Sequence, residues 1–290
     1  MEDLKKRVRQ LRAGKPVGTL TYNGGNSVRD ERGAIFRIQS IDQVAADQVR
    51  RRIYMQQREG RKAGFVFCVM PRVRYVAEVL TATQCGFLLV LSTYMDYDGR
   101  LVRSERDHTP LKQRDMLDIL QLKKTQKSAV SKFIKAAISY GIMYQDEEGA
   151  YYIAPGVHFK GKNREGAEVV RAYNTQVRAL AAVNKAQHVG FVYKLLPYMH
   201  KATNMLCSNP NELEPQKVEK LRRKDLAQLT GVHEDSISRI IRAMQLDGKP
   251  VFAKITTATD GTFYMLNPAI FRRADEVAYD VTARAIFAIQ

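Results

Sequence analysis

The strongest constraint on the fold is an internal repeat. Six residues of one segment return 104 positions later with the same or a similar side chain: Gly86, Phe87, Leu88, Leu91, Tyr94 and Met95 recur as Gly190, Phe191, Val192, Leu195, Tyr198 and Met199. Phe87, Leu91 and Tyr94 follow at i, i+4 and i+7, the spacing that places side chains on one face of a helix. The segment predicts two related amphipathic helices, and two unrelated helices are the alternative that it leaves open by itself.

The similarity continues downstream, which favours a true repeat. Residues 114–120 correspond to residues 224–230, now 110 positions apart. An apolar stripe at i, i+3, i+4 and i+7 then recurs at an offset of 107: Val130, Phe133, Ile134 and Ala137 match Ile237, Ile240, Ile241 and Met244. The decrease from 110 to 107 places three additional residues in the turn of the first copy.

Each copy ends in a predicted β-hairpin, with strands at 142–144 and 150–153, and at 251–256 and 262–266. The order helix, helix, turn, helix, hairpin is typical of a winged helix-turn-helix domain. The second copy resembles the general bacterial helix-turn-helix pattern, with Gly231 where the chain must take a positive φ. His233 stands where Ser or Thr usually caps the second helix, so we expect a poor cap.

These patterns predict the α+β class: a mainly α protein with small β-hairpins. The predicted parts are a basic N-terminal strand and helix extension at 1–79, a first winged helix domain at 80–160, a basic helical linker at 161–185, a second winged helix domain at 186–272 and a C-terminal helix at 273–290. The linker is expected to be helical from Glu165 onward. The terminal helix, read from residue 272, offers a candidate protein contact through Val277, Val281, Ala285 and Ile286.

The charge balance indicates a polyanionic partner. The chain has 47 Lys and Arg against 30 Asp and Glu, a formal net charge of +17, and a pI near 9.8. Nucleic acid is the usual partner of such a chain. The apolar runs at 65–70 and 87–91 are shorter than the ~18 residues of a membrane-spanning helix. No secretory signal begins the sequence, so we expect a cytoplasmic protein without membrane contact.

The second helix of each helix-turn-helix is expected to read DNA with the face opposite its buried stripe. The candidate DNA-binding residues are Lys123, Lys124, Lys127, Ser128, Ser131, Lys132 and Lys135 in the first copy, and Ser236, Ser238, Arg239 and Arg242 in the second. Arg239 and Arg242 can fork onto guanine O6 and N7, whereas lysines are point charges suited to phosphates or to one guanine acceptor. Each of these side chains has a plain alternative as a solvated surface residue.

The two hairpins differ in charge. The tip of the first, residues 146–148, is acidic and should be repelled by DNA, so this hairpin is expected to be structural or to face a protein. The second carries Lys254 among several threonines and is a candidate phosphate clamp. Glu234 and Asp235 would oppose phosphates, but they also suit a helix N-terminus and could accept a hydrogen bond from cytosine.

The N-terminal region has a different pattern. Strands are predicted at 17–22, 26–30 and 34–38, followed by a helix from Ser40, which forms a capping box with Gln43. Residues 1–62 contain fifteen Lys and Arg against seven Asp and Glu, and the candidate DNA-binding residues on this helix are Arg50, Arg51 and Arg52. A backbone contact with DNA, a protein contact and a solvated face all remain open for this region.

Catalytic chemistry has little support in the sequence. The five histidines are isolated, so no metal-binding pair stands near a nucleophilic tyrosine, as a nickase requires. Asp115 and Asp118 are expected to lie near a helix start. The three widely separated cysteines, Cys68, Cys85 and Cys207, are expected to be buried as small apolar residues. We therefore expect no catalytic residue, metal or cofactor.

From Val17 through the first hairpin, the order of short strands, basic segment, apolar helix, helix-turn-helix and Pro-terminated hairpin resembles the RepL-like plasmid replication proteins of Gram-positive bacteria. That family carries one winged unit, whereas this chain repeats it and is in this respect similar to the two-winged-helix theta initiators. The resemblance implies sequence-specific binding of double-stranded DNA at a plasmid or phage origin. A homodimer and contacts with replication machinery are further expectations. A repressor or partition adaptor is the nearest alternative, and a nickase is the more remote one.

Overall fold

The chain combines helices with short strands and small sheets, in agreement with the predicted α+β class. The computed structural model describes residues 18–22, 27–37, 64–104, 108–163, 166–273 and 286–287. The chain divides into two units, Met1–Lys62 and Ala63–Gln290.

The first unit contains a small antiparallel sheet of three strands. These are β1 (Thr21–Tyr22), β2 (Ser27–Arg29) and β3 (Ile35–Arg37), paired in the order β1-β2-β3. Asp30 closes the second turn, because its Oδ1 accepts hydrogen bonds from the amides of Arg32 (3.1 Å) and Ala34 (2.8 Å). The three predicted strands are confirmed in order, although they are shorter than expected. The helix predicted from Ser40, with Arg50, Arg51 and Arg52, lies outside the described residues.

The second unit contains the elements of the internal repeat. The first repeat consists of β4 (Phe65–Val69), α1 (Met70–Val79), α2 (Ala82–Ser92), α3 (Gln113–Ile119), α4 (Lys127–Ser139), β5 (Met143–Gln145), β6 (Tyr151–Ile153) and β7 (His158–Phe159). The second repeat consists of β8 (Val169–Tyr173), α5 (Asn174–Val183), α6 (Ala186–Leu195), α7 (Arg223–Thr230), α8 (Glu234–Ala243), β9 (Gln245–Leu246), β10 (Lys249–Pro250), β11 (Phe252–Thr257), β12 (Gly261–Leu266) and β13 (Phe271–Arg272). Both predicted hairpins are confirmed to within one residue at each strand end.

The two repeats meet in one four-stranded sheet with the order β13-β8-β4-β7. The central strands β4 and β8 are antiparallel, and Phe67 pairs with Arg171, its own equivalent 104 positions later. The equivalent of Phe65 in the second repeat is Val169, and the equivalent of Tyr173 in the first repeat is Val69. Phe65 pairs with Tyr173, and Val69 pairs with Val169. A pairing that maps onto itself in this way requires an approximate two-fold axis between the repeats.

The helices α2 and α6 cross at the same axis. A Cβ atom on Gly86 would lie 2.1 Å from the carbonyl oxygen of Ala186, and one on Gly190 would lie 1.6 Å from that of Ala82. These two contacts are also equivalent under the offset of 104. Only glycine allows backbones to approach so closely, because any side chain would overlap the neighbouring carbonyl.

A reciprocal pair of arginines connects the repeats at the ends of these helices. Arg178 of α5 donates hydrogen bonds to the carbonyl oxygen (2.5 Å) and Oγ1 (3.0 Å) of Thr93, and its guanidinium lies 3.8 Å from the centre of the Tyr94 ring. Arg74 of α1 makes the equivalent contacts at longer distances. It donates a hydrogen bond to the carbonyl oxygen of Pro197 (3.4 Å), and its guanidinium lies 5.3 Å from the centre of the Tyr198 ring. Each repeat therefore holds the end of the other repeat's central helix.

The structure corrects three expectations about secondary structure and burial. Residues 169–173 form strand β8, so the helix predicted from Glu165 begins only at Asn174; the alternation that buries Val170 and Ala172 is a strand signal. Arg272 belongs to strand β13, so no helix begins there. Helix α2 is buried on all sides from Cys85 to Ser92 because α6 packs beside it, whereas one buried face was expected. The strand β4 and helix α1 were not predicted.

The three cysteines are buried and free, as expected. Of the residues predicted to form an apolar face at this end, Val277, Val281 and Ala285 lie outside the described residues, and Ile286 is half-buried. Phe287 is buried against Ala253 and Met265 of the second hairpin.

Candidate nucleic-acid interface

Each repeat contains a pair of helices, α3 and α4 or α7 and α8. The first helix of each pair begins with a backbone amide that donates a hydrogen bond to an aspartate three residues later. The Lys112 amide donates to Asp115 Oδ2 (2.9 Å) and the Arg222 amide donates to Asp225 Oδ2 (2.7 Å), 110 positions apart. Burial raises the pKa of the Asp115 carboxyl, but hydrogen bonds from the Lys112 amide and from Arg103 outweigh it and lower that pKa overall. The predicted position of Asp115 near a helix start is confirmed.

The turn between the helices differs between the repeats as the offsets predict. In the second repeat, Gly231 ends α7 with φ of +69°, and the side chain of His233 makes no capping hydrogen bond to α8. Both expectations are confirmed. The longer connection of the first repeat includes a 3-10 turn at Lys124–Gln126 before α4.

The second helix of each pair buries its predicted stripe. Val130, Phe133, Ile134 and Ala137 of α4 are buried, and so are Ile237, Ile240, Ile241 and Met244 at the equivalent positions of α8 and its cap. This burial determines which side of each helix faces the solvent. When the apolar stripe packs against the core, the residues on the opposite side of the helix are turned outward.

The predicted candidate residues lie on these solvent sides. Lys123, Lys124, Lys127, Ser128, Lys132 and Lys135 are exposed on α4 and its entry, and Ser131 is half-buried. On α8, Arg239 and Arg242 are exposed while Ser236 and Ser238 are half-buried. Within the described part of the chain, none of these lysines and arginines forms an ion pair. Their charges remain available to an anionic ligand.

Of the two acidic residues at the start of α8, Glu234 is paired with an arginine of α7. Glu234 Oε1 lies 2.8 Å from Arg223 Nε, and this partner raises the pKa of the Arg223 guanidinium. Arg223 therefore offsets part of the negative charge of Glu234, and a role of Glu234 toward DNA stays a prediction. Asp235 is 80 % exposed and lies 3.5 Å from His233 Nδ1.

The first hairpin carries an acidic tip and stacked aromatic rings. Tyr144 and Tyr152 lie face to face with ring centres 4.9 Å apart, and the Tyr152 hydroxyl donates to Asp146 Oδ2 (3.0 Å). Glu148 is 83 % exposed, and its carboxylate lies 3.9 Å from Arg100. The negative charge at this tip is consistent with a hairpin that does not approach DNA.

The second hairpin is longer and has a different surface. Lys254, Thr256, Thr257 and Thr259 are exposed, and Thr262 is half-buried opposite Thr256. The tip is attached to the segment before α7, because Lys220 Nζ lies 2.7 Å from Asp260 Oδ2. The hydrogen bond from Lys220 is the main cause that lowers the pKa of the Asp260 carboxyl.

Several exposed basic residues of the second repeat were not among the predicted candidates. Arg222, Arg223 and Lys224 are exposed at the start of α7. Lys249 lies in the two-residue hairpin of β9 and β10, whose turn residues Asp247 and Gly248 have φ of 51° and 73°. The Asp-Gly pair is a strong hairpin signal and could have identified this element.

Comparison of the chain with protein-family models, curated proteins and solved structures gives no match. The resemblance to RepL-like proteins therefore stays a prediction. Among the described residues, no group of three or more His, Cys, Asp or Glu side chains is arranged to hold a metal ion. In the same part of the chain, no helix has both the length and the apolar character to cross a membrane.

Proposed function

We propose that this protein binds double-stranded DNA in a sequence-specific manner through two winged helix-turn-helix domains, one in each repeat. The observation that carries the proposal is the pair of exposed basic faces on α4 and α8. Ser131, Lys132 and Lys135 correspond to Ser238, Arg239 and Arg242 at one offset of 107, and the opposite side of each helix is buried. The match in both residue type and position between the two exposed faces is what supports a shared DNA-binding role.

The two-fold arrangement of the repeats suggests how DNA would be read. Because β4 pairs with β8 and α2 crosses α6 about one axis, we expect the same axis to relate the two reading helices, so that they run in opposite directions along a duplex that both contact. DNA half-sites read by such a pair are inverted relative to each other. One chain would then occupy both half-sites, a task that helix-turn-helix proteins usually divide between two subunits of a dimer.

The two half-sites should contribute unequally to sequence specificity. Arg239 and Arg242 of α8 can each form a bidentate contact with guanine. Lys254 lies on a hairpin whose tip carboxylate, Asp260, is paired with Lys220. The first repeat offers lysines on α4 beside an acidic hairpin tip. We therefore assign base reading mainly to the second repeat and phosphate binding mainly to the first.

A role at a plasmid or phage origin, without catalysis, is the biological setting that we propose. Its support is the resemblance of the region from Val17 through the first hairpin to RepL-like proteins. A transcriptional repressor or a partition adaptor would use the same DNA-binding surface. The location of the bound sites distinguishes them, because an origin contains clustered repeats beside AT-rich DNA whereas a repressor site overlaps a promoter.

Selection of bound duplexes from a random pool tests the proposal. We expect an inverted pair of unlike half-sites, with the more strongly conserved half read by the second repeat, and one chain per selected duplex by analytical ultracentrifugation. The selected sequence is then located in the surrounding genome. Recovery of unrelated sequences, or affinity equal to that for random DNA, would contradict sequence-specific binding.

Replacing Lys132 and Lys135 together by Ala should weaken binding to all DNA sequences. Each lysine that contacts a phosphate contributes about 0.9 to the slope of log K against log salt, so the slope should fall by about two. Titrations at four or more salt concentrations measure this slope. Lys201→Ala is the single-charge control, because Lys201 is exposed in the segment after α6 and belongs to neither proposed reading helix. An unchanged slope in the double variant would remove the phosphate role of α4.

A further inference from the structure

The second hairpin is connected to the segment before α7 by a partly buried ion pair. Lys220 Nζ lies 2.7 Å from Asp260 Oδ2, and the Lys220 side chain is only 17 % exposed. Its ammonium also lies 5.1 Å from the centre of the ring of Phe263, which is itself buried. Burial and the aromatic ring both strengthen an ion pair that would be weak in open solvent.

Asp260 is held in place by its own hairpin as well. Its amide donates to Thr257 Oγ1 (3.0 Å), and the Thr257 hydroxyl donates to Asp260 Oδ2 (3.3 Å). The carboxylate therefore has a defined direction, toward Lys220. Lys220 in turn is fixed by the chain on both sides, since it pairs with Cys207 and the next residue, Leu221, donates its amide to the carbonyl oxygen of Leu206 (2.8 Å).

We infer that Lys220 and Asp260 are positioning residues for DNA binding, which set the second hairpin relative to α8 so that Lys254 and the hairpin threonines reach the DNA backbone. The inference rests on the proposed function. Lys220 lies two residues before Arg222, whose amide is capped by Asp225, and three before Arg223, which pairs with Glu234 at the start of α8. One short segment thus holds both the hairpin tip and the reading helix.

The direction in which one substitution changes the DNA affinity distinguishes a positioning role from an effect of charge alone. Asp260 is a carboxylate on the surface proposed to face phosphates. If it acted only through its charge, Asp260→Asn would remove a repulsion and strengthen DNA binding. If it acts by holding the hairpin through Lys220, the same substitution should weaken binding, because the freed hairpin loses entropy on each encounter.

The experiment compares DNA affinity across a small set of full-length variants. The variants are Asp260→Asn, Lys220→Met, Lys220→Arg, the double variant Lys220→Met with Asp260→Asn, and Asp235→Asn as the control for charge alone. Binding is measured with the duplex that the unaltered chain selects, at several salt concentrations. Thermal melting of each variant is recorded in parallel.

We expect Asp260→Asn and Lys220→Met each to weaken binding about 3- to 10-fold, and the double variant to be no weaker than Lys220→Met alone, because the two residues act as one unit. Lys220→Arg keeps the charge and the aromatic contact, so it should bind nearly as tightly as the unaltered chain. Asp235→Asn, at an 80 % exposed carboxylate, should bind more tightly.

Two outcomes would overturn the inference. Tighter binding by Asp260→Asn, matching Asp235→Asn, would show a charge effect and leave the proposed function intact. Failure of the unaltered chain to discriminate any duplex would overturn the proposed function and this inference together. If Lys220→Met lowers the melting temperature, the comparison of Asp260→Asn with Lys220→Arg decides, since weaker binding only in the former supports positioning.

Discussion

Replacing Arg239 and Arg242 together by Ala should remove most of the discrimination between selected and random DNA. Both side chains are exposed on α8, opposite buried Ile237 and Ile241, and neither forms an ion pair among the described residues. A bidentate arginine contact with guanine contributes about 1–3 kcal/mol of discrimination, so the pair should contribute about 2–6 kcal/mol. The ratio of specific to non-specific Kd, measured by competition, should fall by at least about 30-fold.

Arg239→Lys with Arg242→Lys is the matched control. Lysine keeps both positive charges but lacks the planar fork that engages O6 and N7 together. We expect this variant to keep non-specific affinity and the salt slope while losing most of the specificity. If the alanine variant still protected the same DNA sequence in footprints, the assignment of this face to base reading would be wrong.

Local periodicity accounts for most of what could be predicted from the sequence. The stripes at Val130 and Phe133 and at Ile237 and Ile240 are buried as predicted, because a spacing of three and four residues defines a helix face without reference to the rest of the fold. The same holds for Gly231, whose positive φ follows from its place at the end of a helix.

Contacts between distant parts of the chain could not be predicted in this way. The constant offset of 104 indicates two like repeats, but it does not say whether they follow each other in the same direction or face each other across an axis. That choice depends on the pairing of β4 with β8 and on the crossing at Gly86 and Gly190. The ion pairs of Lys220 with Asp260 and of Arg223 with Glu234 likewise join residues 40 and 11 positions apart.

The candidate site was therefore predicted in its parts and not in its arrangement. Lys132 and Arg239 were assigned to reading faces from periodicity alone, and both are exposed. We expect their relative direction, which decides between direct and inverted half-sites, to follow the two-fold contact of the repeats. One signal was available: Ala82 and Gly86, and Ala186 and Gly190, each place two small residues one helical turn apart. A glycine inside a helical pattern usually has a packing reason.

Gly190→Ala should strongly destabilise the second unit of the chain. In a helix this substitution alone would favour folding by about 0.5–1 kcal/mol. Here the new Cβ would lie 1.6 Å from the carbonyl oxygen of Ala82, a backbone atom that cannot rotate away. The helices α2 and α6 must separate, and overpacking of this kind costs about 1–3 kcal/mol and more when backbones meet. We expect a net loss of about 3 kcal/mol in the free energy of unfolding.

The measurement is chemical denaturation with a parallel thermal melt, in which this loss corresponds to a decrease of about 6–12 °C for a unit of this size. Gly86→Ala should act in the same direction, because its Cβ would lie 2.1 Å from the carbonyl oxygen of Ala186. Gln187→Ala, at an exposed position of α6, is the matched control and should change stability by less than about 0.5 kcal/mol. If Gly190→Ala were as stable as this control, α2 and α6 would not cross closely. The two-fold contact would then lose its main support, and with it the expectation of inverted half-sites.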